Sequence, residues 1–406
     1  MGLQAKESVM SEQAPSAGMR ELATLALAGT AAVTVGIGLA RFGFIVIMPL
    51  LTAAGWFAAG QTAWLGAANL LGYFAGALSA HALAQRMAPG HLIRGAMLAI
   101  AVSFWACSLP WGFAWFFGWR FVSGVAGAGL MVLASPLALA DTPERLRGRV
   151  NGIIFTGIGI GVVATGLGVP VLAGLGVEPV WQGLSLLVFA MTALSWPCWR
   201  TEVRMSRLPL PLEPADSGQR PALALLFGVY GLAAVGFLPH TVFWVDYLVR
   251  TLGHSLAVGG LNWTVFGLGA LAGPILSGMM ADRVGFRTAL LAALGIKAAA
   301  VAIPLVTTAS SFLLLSSLLV GALTPGVVML VSGTALEIAG RSRHRQAWGR
   351  LTLAFACAQA VASSLMAFLY AWTGSYLLLF ALATVALLLA VLLALRLWRL
   401  PLSRAS

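Results

Sequence analysis

Charge is scarce in this chain. Only 9% of its 406 residues are Asp, Glu, Lys or Arg, where a soluble globular domain carries roughly 25%. A soluble two-domain enzyme is therefore excluded. Lysine is almost missing: Lys6 and Lys297 are the only two, so 22 of the 24 basic residues are arginine. The net charge of +12 is no nucleic-acid footprint, because the arginines fall in short clusters between apolar runs and not along one basic face. No nucleic-acid partner is expected. Cysteine is limited to Cys107, Cys198 and Cys357, each in or at the end of an apolar run. That excludes a disulfide or metal framework and leaves small core filler as their role. No His/Cys/Asp/Glu cluster has metal-ligand spacing, and no G-x-x-x-x-G-K-[ST] is present. Neither metal, cofactor nor ATP site is expected. Nor does any Ser/His/Asp or di-carboxylate group share one depth, so no enzyme is expected.

What the chain does have is apolar length. Sixty per cent of the residues are hydrophobic, 47 are glycine, and the mean hydropathy is +0.94. These are the proportions of helices packed in lipid, where small residues let backbones approach. About 20 apolar residues are needed to cross ~30 Å of hydrocarbon. Runs of that size lie near 22–50, 60–84, 92–110, 112–138, 150–173 and 180–199, then near 222–248, 258–280, 288–308, 312–336, 350–372 and 375–397. The expectation is an all-α polytopic membrane protein of twelve spans in two six-helix bundles, 21–200 and 222–399. The polar stretch 201–221, with Pro209, Pro211, Pro214 and Pro221, reads as the linker between them. Residues 1–20 read as a tail without the apolar core of a signal peptide, and 400–406 as a second tail.

Orientation follows from the arginines. Twenty of the 24 basic residues, among them Arg86, Arg94, Arg147, Arg283, Arg287, Arg350 and Arg396, collect on one side of the twelve spans. That side is expected to be cytoplasmic, with both termini and the linker on it, in a multi-pass protein of a bacterial inner membrane. Tryptophans such as Trp105, Trp111, Trp181, Trp199, Trp372 and Trp398 sit mostly near span ends, as an interfacial belt would.

The halves repeat. Gly38-Leu39-Ala40-Arg41-Phe42-Gly43-Phe44 matches Gly231-Leu232-Ala233-Ala234-Val235-Gly236-Phe237 at five of seven positions. At an offset of 197, Gly72 and Gly76 fall on Gly269 and Gly273, Gly124 on Gly321, and Gly129 on Gly326. Parallel duplication of a six-helix unit is a transporter architecture, with the solute site between the halves.

Gly278-Met-Met-Ala-Asp282-Arg283-Val-Gly285-Phe-Arg287 resembles the G-x-x-x-D-R-x-G-R-R loop of the major facilitator superfamily, and Arg120-Phe-Val-Ser-Gly124 resembles that family's R-x-x-x-G motif. The glycine run from Gly157 through Gly168, with Pro170, looks like its Gly/Pro-rich fifth helix. Gly38-Leu-Ala-Arg41-Phe42 with Pro49 downstream, then Trp64-Leu-Gly-Ala-Ala-Asn69-Leu-Leu-Gly72-Tyr73, is similar to the YbfB/YjiJ branch. The first-half loop departs from the motif, with His81 in place of Gly and Gln85 in place of Asp. The resemblance implies alternating access, with spans 1, 4, 7 and 10 lining the cavity and 3, 6, 9 and 12 peripheral. It also implies a cytoplasmic gate built from Gly278, Asp282, Arg283, Gly285 and Arg287, with Arg86 on the other half. Asp282 would pair with a basic residue or a helix N-terminus across the interface.

A charge inside a span costs at least ~2.5–3.5 kcal/mol on insertion scales, so each one suggests a function. Arg41 and Arg120 both fall ~7–9 Å outward of the midplane at 1.5 Å per residue. Two guanidiniums at one depth would form a fork for a carboxylate or phosphate. The alternative is that each caps helix carbonyls or snorkels outward. No carboxylate lies near the middle of any span, which argues against a carrier of organic cations. His240 is a candidate proton carrier, or else a neutral ring bonded to a backbone group freed by Pro239. Asp246 is a second candidate, or else a surface partner of Arg250 four residues on. Lys297 falls at the centre of span 9 and reads as snorkelling. Asn69, Tyr73 and Gln359 are polar enough to meet a solute, or else each makes an interhelical hydrogen bond, and Trp244 lies near the outer mouth of the cavity. The expected function is secondary active transport of a small organic anion with proton coupling, by a monomer in the lipid bilayer. The alternative is efflux of hydrophobic compounds.

Overall fold

The structure is a computed structural model that describes residues 20, 22–139, 142–199 and 219–400. The expected tails at 1–19 and 401–406, the linker at 201–218, Asp141 and the side chains of His81 and Arg145 lie outside the described residues. Among the described residues every element is helical. Ten helices are long and apolar enough to cross a membrane. In the first half they are α1 (Leu22–Ala53), α4 (Phe113–Leu139), α5 (Leu146–Ala173) and α6 (Val177–Cys198). In the second half they are α7 (Arg220–Thr251), α8 (Leu256–Val284), α9 (Phe286–Val306), α10 (Ser310–Gly340), α11 (Gln346–Thr373) and α12 (Tyr376–Arg399). Two more helices, α2 (Ala59–Arg86) and α3 (Pro89–Ala106), complete the twelve expected. Gln61, Asn69, Gln85 and Arg86 dilute the apolarity of α2, as His91 and Arg94 do that of α3. The chain runs helically from α10 into α11 except at Gly340, whose φ of +72° suits a residue without Cβ.

The duplication seen in the sequence is reproduced contact by contact. A Cβ on Gly72 would strike the carbonyl of Phe121, and one on Gly269 the carbonyl of Leu318. Gly76 meets Val125 O and Gly273 meets Ala322 O; Gly124 meets Asn69 O and Gly321 meets Phe266 O. Every residue in the second set lies 197 positions after its counterpart, so α2 crosses α4 as α8 crosses α10. These crossings need backbone at van der Waals distance, which only glycine permits. Gly321→Leu is therefore expected to cost several kcal/mol of stability through overpacking. A large fall in the melting temperature of purified protein, against no change for Gly95→Leu, where a Cβ meets open space, checks this.

The bundles meet from the middle of the molecule to the arginine-poor end. Phe42 of α1 packs edge-on against Trp263 and Phe266 of α8, centroids 6.0 and 6.4 Å away. Gly60 at the start of α2 faces Ala371 at the end of α11, Gly66 faces Val242, and Gly166 of α5 faces Gly260 and Thr264 of α8. Towards the arginine-rich end, Gly148 and Gly152 of α5 have open space where a Cβ would stand. Arg86, Asp282 and Arg283 are exposed there.

Two helices are irregular. α1 contains a π-helical segment at Thr34–Leu39, and α7 contains two, Pro239–Phe243 and Tyr247–Thr251. Such segments often mark functional positions, and both coincide with buried polar groups.

Candidate functional site

The π-helical segment of α1 sets up the first of these. Ala40 N and Phe42 N bond to carbonyls five residues back, Val35 O at 3.0 Å and Ile37 O at 3.1 Å. The carbonyl of Ala40 then accepts from two side chains of other helices: Arg120 Nη1 of α4 at 2.8 Å and Asn69 Nδ2 of α2 at 3.4 Å. Asn69 Nδ2 also donates to Ser123 Oγ at 2.9 Å and to Arg120 O at 3.3 Å. Ser123 Oγ in turn donates to Arg120 O at 2.9 Å. Three helices are tied together at one level.

Arg41, Asn69 and Arg120 line a common cavity with Phe44 and Ile45 of α1, Gly66 and Leu70 of α2, and Thr241 and Val242 of α7. It lies between the two bundles, and none of its lining residues is acidic. In this conformation it is closed down to about the space of one water molecule. Arg120 is 1% exposed. Its guanidinium sits 4.4 Å from the centre of the Phe44 ring, and its Nε has no hydrogen-bond partner. Arg41 is half-buried, 5.1 Å from the Phe42 centroid and 5.2 Å from that of Tyr73. Desolvating a cation costs several kcal/mol. A desolvated cation–π contact returns about 2 kcal/mol, and a single charged hydrogen bond about 1.5–3 kcal/mol. The aromatic rings cover the faces of the two guanidiniums, and apart from Ala40 O on Arg120 Nη1 the cavity lining offers their edges no acidic acceptor.

Asp246 of α7 is fully buried (0% exposed), which corrects the expectation of a surface ion pair. Arg250 Nη1 approaches Asp246 Oδ2 at 3.2 Å, as expected for residues four apart. Tyr376 also donates to Oδ2, and Oδ1 has no partner. Tyr370 donates to Tyr376 at 2.7 Å, and Arg250 also reaches Tyr370 at 3.0 Å and Tyr376 at 3.2 Å. Sequence reading missed these tyrosines. The signal available was that two of the chain's five flank the α11–α12 turn, at the same end as Asp246.

His240 is equally buried (0% exposed). Its Nε2 pairs with Ser316 Oγ at 2.8 Å, not with a backbone group freed by Pro239, and its Nδ1 has no partner. The ring stacks on Trp244 at 4.3 Å, and Trp244 Nε1 donates to Ser317 Oγ at 2.8 Å. His240 and Trp244 therefore belong to the interior of the second half and do not line the arginine cavity. Gln359 is 1% exposed with both amide atoms unpartnered, and it too lies outside that cavity. Trp181 and Trp199 are buried in the core and not in a belt, whereas Trp105, Trp111, Trp372 and Trp398 are exposed.

Lys297 does not snorkel. It is 1% exposed, with its ammonium 4.7 Å from the Phe237 centroid. Burial of an ammonium costs more than one cation–π contact returns. Lys297→Met, which keeps the length of the side chain, is expected to raise the melting temperature by a few degrees, about 1 kcal/mol. Thermal unfolding of the two proteins side by side measures this.

The gate residues are spread out. Gly278, with Gly285 six residues along the chain from Met279, flanks the exposed pair Asp282 and Arg283 at the end of α8. Asp282 makes no ion pair among the described residues, and Arg86 stands exposed on the other half. Arg287 works within its own half: Nη1 donates to Leu400 O at 3.0 Å and to Leu397 O at 3.4 Å, and Nε lies 3.9 Å from Glu337 Oε2. Arg94 does the equivalent in the first half, donating to Trp196 O at 2.8 Å and Trp199 O at 3.0 Å. Each arginine, one on α3 and one on α9, caps the final carbonyls of the sixth helix of its bundle.

Twelve helices in two duplicated bundles, with buried cations at their junction, define a membrane transporter of the major facilitator superfamily. The family described as uncharacterised MFS-type transporter YbfB matches residues 33–395, and the chain belongs to it. Among solved structures, a bacterial homologue of the human lysosomal transporter Spinster, in an inward-facing and unoccupied conformation, superposes with a TM-score of 0.66. It is 16% identical, over 93% of this chain and 95% of that one; at this identity the likeness is one of fold. No curated protein matches the chain.

Proposed function

We propose that this transporter carries a small organic anion across a bacterial inner membrane by alternating access, in symport with protons. The carrying observation is the cavity between the bundles, where Arg41 and Arg120 stand without an acidic partner. A monoanion supplies the missing acceptor; an organic cation would add a third positive charge to a site with no acid. The arginine-rich end is read as cytoplasmic from the positive-inside bias. The two bundles then touch on the outer side, and the exposed Asp282, Arg283 and Arg86 belong to an inward-facing state. Rocking of the bundles would bring the α8–α9 loop against the first half and part Gly60 from Ala371. Asp246 and His240, each buried with one unpartnered polar atom, are the groups through which a proton would couple. Tyr73 lies under Arg41 and shapes the site, while Trp244 supports His240.

Ligand-induced thermal stabilisation of the detergent-purified protein tests the reading. A ligand that binds the folded state raises the melting temperature in proportion to log concentration. Small carboxylates are expected to stabilise the wild type, and neither Arg41→Gln nor Arg120→Gln should respond. If lipophilic cations or neutral drugs stabilise all three proteins alike, efflux of hydrophobic compounds is the better reading.

A further inference from the structure

Two residues that line the arginine cavity each hold a buried polar atom without a partner, and the two atoms are of opposite kinds. Arg120 Nε is a donor and Asn69 Oδ1 is an acceptor. The assignment of the Asn69 amide is forced by its surroundings. Its nitrogen faces the carbonyls of Ala40 and Arg120, which can only accept; an oxygen there would oppose two oxygens. Ser123 Oγ spends its one proton on Arg120 O and so accepts from Asn69 Nδ2. The nitrogen is thus fully engaged on the scaffold side, and Oδ1 is the atom left over. Asn69 is 2% exposed and lines the cavity, so bulk water does not satisfy it.

We infer that the anion carried is a small hydroxy acid, whose carboxylate bridges Arg41 and Arg120 while its hydroxyl donates to Asn69 Oδ1. This rests on the anion reading and narrows it. A plain carboxylate meets the arginines but leaves Oδ1 buried and unpaired as it is in the empty protein, so it forgoes the hydrogen bond that a hydroxyl gains. An amino acid offers a donor to Oδ1, but its ammonium would enter a cavity with two guanidiniums and no acid. A hydroxyl next to the carboxylate supplies the donor without the charge.

The wild-type protein itself can be tested, because the probes differ by single groups. Dissociation constants for L-lactate, propionate, 2-methoxypropionate and L-alanine are measured by isothermal titration on the full-length protein in detergent, with Arg120→Gln as control. Lactate is expected to bind at least about tenfold tighter than propionate, since a site built around a hydroxyl rejects the analogue that lacks it. The methyl ether, which has the oxygen but no proton, should be as weak as propionate or weaker, and alanine should not compete. Asn69→Leu should bring lactate down to propionate. Because Asn69 also ties α1 to α4, the ether comparison carries the test if that variant fails to fold. Equal binding of lactate, propionate and the ether, all lost in Arg120→Gln, would overturn the hydroxyl inference and leave the anion reading standing. No binding of any of the four, alongside saturable binding of a lipophilic cation, would overturn both.

Discussion

Arg120→Gln is expected to lower organic-anion uptake by about 30-fold or more while the protein stays folded. Removing one member of a buried hydrogen-bonded charge pair typically costs 2–5 kcal/mol, and each 1.4 kcal/mol is tenfold. Here the loss falls on the loaded carrier alone. In the empty protein the guanidinium holds one carbonyl, Ala40 O, over the Phe44 ring, and glutamine can keep that hydrogen bond through its amide nitrogen. The melting temperature without ligand should therefore hold or rise, since a buried cation has been removed. Arg120→Lys should fall in between: it restores the charge, but a point-like ammonium cannot bond Ala40 O and still present a second edge to a carboxylate. Initial uptake rates in proteoliposomes, set beside thermal unfolding of the same preparations, separate the two effects. Parallel loss of uptake and stability would make Arg120 a structural cap.

Locking the arginine-poor end should stop transport outright. A Cβ at Gly60 would lie 2.9 Å from the Cβ of Ala371, and a disulfide requires about 3.5–4.5 Å, within reach of a small outward shift. With Cys107, Cys198 and Cys357 replaced, Gly60→Cys with Ala371→Cys should cross-link under mild oxidation. Uptake should then vanish and return on reduction. Each single cysteine variant should transport normally under both conditions. Full activity in the cross-linked protein would mean that α2 and α11 do not separate during the cycle.

Much of the architecture was legible because lipid imposes simple rules. Span length and the constant offset between glycine pairs each follow from one dimension of the chain, and the structure reproduces the glycine pairs down to the carbonyl each glycine faces. Arg41 and Arg120 could be placed at one depth by counting residues along antiparallel helices, and they do line one cavity. Other features depend on which way a side chain turns. Lys297 lies on a helix expected to be peripheral, yet it points at Phe237 and is buried. Asp246 lies near a span end, yet Tyr370 and Tyr376, more than a hundred positions further on, cover it. The π-helical segments of α1 and α7 carry no sequence signal beyond glycine and proline, and it is the α1 segment that turns Ala40 O towards Arg120 and Asn69. The free Asn69 Oδ1 follows only from knowing what its nitrogen bonds. For Arg287 the family motif suggested a gate, whereas its contacts are those of a helix cap.

An anion carrier must exchange its anion through the protein in both directions. Proteoliposomes preloaded with unlabelled L-lactate and diluted into a trace of labelled L-lactate should accumulate label transiently, by counterflow, without any applied gradient. Wild type is expected to show that overshoot, Arg120→Gln to show none, and an inward-directed proton gradient to raise net uptake in unloaded vesicles. Counterflow absent for lactate and for other small carboxylates, with energised extrusion of a hydrophobic dye by the same vesicles, would contradict the anion carrier.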